Sequence, residues 1–131
     1  MPVRKYPEAI LEEAAALREK GLTFPQIEQK LGIPHKIAYF HCLRLGADSP
    51  ATATDTRTPG GPMQYTRGNV TVRRFTAAED ERLLRLELSG MRICDIAREI
   101  GRPANSIRNR LMLLARKEAR AERAAELEAG I

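Results

Sequence analysis

Residues 75–111, FTAAEDERLLRLELSGMRICDIAREIGRPANSIRNRL, decide the fold class, because each helix boundary in them carries a residue with a physical reason to be there. Thr76-Ala77-Ala78-Glu79 is a capping box: the hydroxyl accepts from the amide three residues on, and the glutamate reaches back to the threonine amide. A helix starts there, with Leu83, Leu84, Leu86 and Leu88 as its apolar surface and Gly90 at its end. A second helix is predicted over Ile93–Ile100, since Ile93, Ile96, Ala97 and Ile100 recur at three- and four-residue intervals before Gly101. Pro103 opens a third, where a missing amide hydrogen costs nothing, and Ile107, Leu111 and Leu114 form its inward stripe. Three helices with a tight second turn make a helix-turn-helix pattern.

Working outward, the chain aligns with itself at an offset of 69. Glu12 falls on Glu81, Leu17 on Leu86, Gly21 on Gly90, Ile27 on Ile96, Gly32 on Gly101, Pro34 on Pro103 and Leu45 on Leu114. The glycines and the proline recur at the same helix boundaries, so residues 1–46 read as a second copy of one design. Its first helix runs from about Pro7 to Lys20. Thr23-Phe24-Pro25-Gln26 caps the next, which ends at Gly32, and Pro34 opens the third.

Between the copies, residues 47–72 hold three Pro, three Gly and six Thr in 26 positions, the composition of a linker. A short hairpin around Arg67-Gly68-Asn69 is the weaker reading of its end. The tail from Ala115 to Ala129 lacks Pro and Gly, so it extends the last helix outward, polar on every side and solvated. The expected architecture is all-α: an N-terminal module at 1–46, a linker with a basic arm at 47–72, and a C-terminal module with helical tail at 73–131.

The 131 residues carry 22 Lys and Arg against 17 Asp and Glu, a net charge of +5 that favours a polyanionic partner. Residues 73–116 hold ten Arg against six acids, and most of the excess sits there. No apolar run approaches the roughly 18 residues of a membrane span, so the expectation is a soluble, cytoplasmic protein, nucleoid-associated if bacterial, with no membrane partner. Cys42 and Cys94 have no metal-ligand spacing, and His35 and His41, six apart, add none. Two reduced, buried thiols and no metal or cofactor are expected. With no glycine-rich phosphate loop and no nucleophile beside a base, an enzyme is not indicated.

The stretch Phe75–Leu111 resembles the Myb/SANT repeat, a homeodomain-like fold whose three core tryptophans lie 18 to 19 residues apart. Phe75, Ile93 and Leu111 take those places, each 18 apart. Thr76, Glu79 and Asp80 match the opening of the repeat, and Gly101-Arg102, Asn105, Ile107, Arg108 and Asn109 match its closing motif. Pro103 and Ala104 replace two polar residues of that motif. In the N-terminal copy Tyr6, Phe24 and Cys42 keep the spacing and the closing motif is gone; Arg44-Leu45-Gly46 there is similar to the end of small bacterial helix-turn-helix regulators. The resemblance implies a DNA-binding domain that contacts bases through Arg108 and Asn109, with Met112 and Leu113 at the next two base-reading positions.

Helical periodicity leads to the same face. With Ile107, Leu111 and Leu114 inward, Asn105, Arg108, Asn109 and Met112 turn outward, and asparagine and arginine pair bidentately with adenine and guanine in the major groove. Arg92, Arg98, Arg102 and Arg110 are candidate phosphate clamps, Ser106 a further phosphate contact, and Arg67, Arg73 and Arg74 a basic arm for the minor groove. The N-terminal copy offers His35, Lys36, Tyr39 and Phe40 instead, an aromatic face suited to a homodimer or protein partner, or to a second DNA contact. The leading expectation is a sequence-specific regulator of transcription that binds double-stranded DNA; the rival is an adaptor or antiactivator bound to a transcription factor.

Overall fold

The computed structural model describes residues 6–57 and 63–130; the centre of the expected linker, residues 58–62, lies outside them. Six α-helices and one two-stranded hairpin occur among the described residues: α1 (Glu8–Glu19), α2 (Phe24–Leu31), α3 (His35–Arg44), β1 (Gln64–Arg67), β2 (Val70–Arg73), α4 (Ala77–Leu88), α5 (Ile93–Ile100) and α6 (Ala104–Glu128). The protein is mostly helical, and the hairpin corrects a purely helical expectation. Contacts divide the chain into two compact units, Met1–Thr56 with Met112–Ile131, and Arg57–Leu111. α6 is one continuous helix of 25 residues whose first eight belong to the second unit.

The offset of 69 holds at the level of helix boundaries. Shifted by that number, α1 falls on α4, α2 on α5, and the first residue of α3 on the first of α6. The cause is local chemistry at matching places. Gly32 and Gly101 close α2 and α5 in the left-handed conformation, at φ of 74° and 78°, where a side chain would be strained. Both capping boxes form: Thr23 with Gln26 at the start of α2, and Thr76 with Glu79 at the start of α4.

In the first unit Ala14, Ile27, Ile33 and Ala38 make one fully buried cluster, with Tyr6, Ile10, Leu17, Leu22, Phe24 and Leu31 packed against it. Ala15, Cys42 and Ala47 form a second beneath Phe24. In the second unit Leu83 of α4, Ile96 of α5 and Ile107 of α6 are each fully buried, about 2–3 kcal/mol apiece in burial. The other leucines expected to cover α4 divide. Leu86 is half-buried, whereas Leu84 and Leu88 stand 41% and 88% exposed, because a three-helix unit this small covers a single stripe of each helix. Cys42 is buried as expected and burial pushes its thiol pKa up, but Cys94 is exposed; both are free.

Two stretches expected to be loose are packed. Residues 47–55 begin the expected linker, yet Ala47 and Ser49 are 1% and 3% exposed. The tail is not solvated on every side. Arg120 donates to both oxygens of Asp48, at 2.7 and 3.0 Å, and Arg123 donates to the Ala53 carbonyl at 2.8 Å. A polar helix docks in this way because the Asp48 carboxylate, its side chain only 6% exposed, meets two of its guanidinium groups.

Candidate nucleic-acid interface

α6 begins after Pro103, whose carbonyl accepts from the Ile107 amide at 3.1 Å. Ile107 then points into the second unit and is fully buried, which fixes the rotation of the helix. Asn105, Arg108 and Asn109 are exposed, and at i, i+3 and i+4 they form one stripe over the first turns. Arg108 Nη1 donates to Asn105 Oδ1 at 2.9 Å, which holds the two side chains side by side. Ser106 is half-buried beside this stripe. The fourth expected member falls elsewhere: Met112 is half-buried and, with Leu43, Ala115 and Ala119, lines a cavity of about 180 Å³ in the first unit.

The arginines fall into two groups. Arg102 is 9% exposed at its side chain, paired with Glu79 at 2.7 Å, and donates to the carbonyls of Arg73 and Arg74 at 2.9 and 3.0 Å. Arg110 donates to both oxygens of Asp80, each at 2.8 Å. Both guanidinium groups lie over the Phe75 ring, at 3.9 and 5.3 Å from its centre. These two are therefore internal struts rather than open phosphate clamps. The acidic pair Glu79-Asp80, expected only as part of the helix opening, is what engages them. Hydrogen bonds from Arg102 hold the Glu79 carboxyl down at about 2, and the bond to Asp80 raises the Arg110 pKa.

Arg92 and Arg98 remain outside. Both pair with Asp95, at 3.3 and 3.0 Å, yet their side chains are 78% and 77% exposed, so the pairs are weak and the cations stay accessible. On the hairpin Arg67 and Arg73 are exposed, while Arg74 is half-buried with its guanidinium 4.9 Å from the centre of the Tyr65 ring.

In the first unit the aromatic face is partly used by the chain itself. Tyr39 meets Phe24 edge to face at 5.4 Å, and the Arg116 guanidinium lies 5.7 Å from the Tyr39 ring centre. Phe40 is half-buried, edge-on to His41 at 5.1 Å. His35 bonds Glu28 through both its ring and its amide, at 2.8 Å each, and those bonds lower the Glu28 pKa; Lys36 is exposed.

Among the described residues no three His, Cys, Asp or Glu side chains gather to hold a metal ion, and no helix is long and apolar enough to cross a membrane. Comparison with protein families, with curated proteins and with solved structures returns no match to this chain.

Proposed function

We propose that the protein is a sequence-specific double-stranded DNA-binding regulator of transcription, and that the first turns of α6 enter the major groove with Asn105, Arg108 and Asn109 toward the bases. The observation that carries this reading is their exposure on one stripe of a helix whose opposite side is pinned by Ile107. Asparagine donates to and accepts from adenine, and arginine donates twice to guanine, so the stripe can discriminate base pairs. Arg92, Arg98 and Arg67 supply accessible positive charge for phosphates. The Myb/SANT-like character of the module belongs to this proposal, and so does a cytoplasmic location, nucleoid-associated if bacterial.

A protein-adaptor reading has one observation in its favour: Leu84 and Leu88, a turn apart on α4, are 41% and 88% exposed. The two readings separate on salt. A duplex reader loses affinity steeply as salt rises, by a slope of about 0.9 per phosphate contact, and Asn109→Ala flattens its preference among sequences by roughly 1–3 kcal/mol. An adaptor shows neither effect, and Leu88→Ser weakens its partner instead.

A further inference from the structure

We propose that the β1–β2 hairpin is a second duplex-binding element, a ribbon laid along the sugar-phosphate backbone beside the α6 site, and that Arg102 is the residue that positions it. This rests on the reading of α6 as the base reader.

The hairpin has little core of its own. Its turn is Gly68-Asn69, with Gly68 at φ 63°, and Gln64, Thr66, Arg67, Asn69, Val70, Thr71 and Arg73 are all exposed. A two-stranded ribbon with so little burial is marginal in water. What fixes it is its base. The carbonyls of Arg73 and Arg74, where the second strand leaves the hairpin, accept from Arg102, whose guanidinium is held by Glu79 and covered by Phe75. Arg102 stands two residues before α6, so one side chain sets the hairpin against the start of the reading helix.

The chemistry of the ribbon suits phosphate oxygens. Residues 63–74 contain three arginines and no Asp or Glu. Gln64 stands opposite Arg73, and Thr66 opposite Thr71, so one face carries an amide, two hydroxyls and a guanidinium, all able to donate. Size decides where such a ribbon lies. Two strands about 4.8 Å apart, with their side chains, exceed the minor groove of about 6 Å of an undeformed duplex, and the wider major groove holds α6. A strand of four residues runs about 13 Å, enough to follow two or three phosphates. Arg73 thus acts from a ribbon anchored at its base rather than from a loose arm threaded into the minor groove.

The test is binding of the full chain to mixed-sequence double-stranded DNA, followed by fluorescence anisotropy across a salt series. Arg73→Ala, on the same face as the two threonines, should lower the slope of log affinity against log salt by about 0.9, and Thr66→Val with Thr71→Val should weaken binding about tenfold at unchanged slope, since hydroxyls displace no counterion. Arg102→Lys, which keeps the charge but cannot span Glu79 and both carbonyls, should reproduce the combined loss. Circular dichroism checks its folding; should it unfold, the exposed Arg73 and threonine variants decide alone. Binding by the unaltered chain with slope and affinity unchanged in both of those variants overturns the hairpin proposal and leaves the α6 reading standing. No duplex binding by the unaltered chain overturns both.

Discussion

Arg102 donates to both oxygens of Glu79, from Nε to Oε2 at 2.7 Å and from Nη2 to Oε1 at 3.0 Å, while the same carboxylate accepts from the Thr76 amide at 3.1 Å. One carboxylate thus closes the capping box of α4 and holds the arginine that precedes α6. Arg102 lowers the Glu79 pKa from 4.5 to about 2, so the pair stabilises the fold fully above pH 5 and loses that contribution as pH falls toward 2. Glu79→Gln should cost about 2 kcal/mol at neutral pH by urea unfolding. The gap to the unaltered protein should close between pH 5 and 2; a gap independent of pH contradicts the pairing.

The Asp80–Arg110 pair joins α4 to α6 with two bonds of 2.8 Å and side chains 20% and 29% exposed, whereas Asp95–Arg92 lies open at the surface. Double-mutant cycles should give a coupling of about 1–2 kcal/mol for the first pair and under about 0.5 kcal/mol for the second. Equal couplings would show that Arg110 is as free as Arg92.

How much of this was legible in the sequence follows from what each feature depends on. Helix boundaries depend on neighbours a few residues apart, and Thr23, Thr76, Gly32, Gly101 and Pro103 mark them openly. The shared exposure of Asn105, Arg108 and Asn109 was legible for the same reason: Ile107 fixes the rotation, and the three follow by periodicity. Arg102 and Arg110 were not, because their partners lie 23 and 30 residues upstream and spacing alone does not reveal an ion pair. Nor was the docking of the tail, which rests on Asp48 meeting Arg120 across 72 residues. Met112 was misplaced because periodicity runs on unchanged where α6 passes from one unit's contacts to the other's.

Asp48 carries that docking. Burial alone would raise its pKa, but hydrogen bonds from Arg120 and Thr52 hold it well below the usual carboxylate range. Asp48→Ala leaves Arg120 and Arg123 without their acid, at a cost of about 3 kcal/mol. Trypsin should then cut after Arg120 and Arg123 severalfold faster than in the unaltered chain; equal rates would show that the tail is held by other contacts.

A methyl group added at Gly32 or Gly101 would meet nothing within 4 Å, so an alanine at either place faces only the backbone penalty of positive φ. Both Gly32→Ala and Gly101→Ala should cost about 1 kcal/mol in thermal unfolding, alike at the two places because the turns are alike. A large difference between them would argue against one repeated design.

The orientation of α6 is tested most directly by selection from a randomised duplex pool with the full chain and with Asn109→Ala. The unaltered protein should enrich one motif, and the variant should keep comparable total binding while losing preference at one base pair of it. Enrichment of no motif by the unaltered protein, or an identical motif with Asn109→Ala, contradicts base reading by this helix.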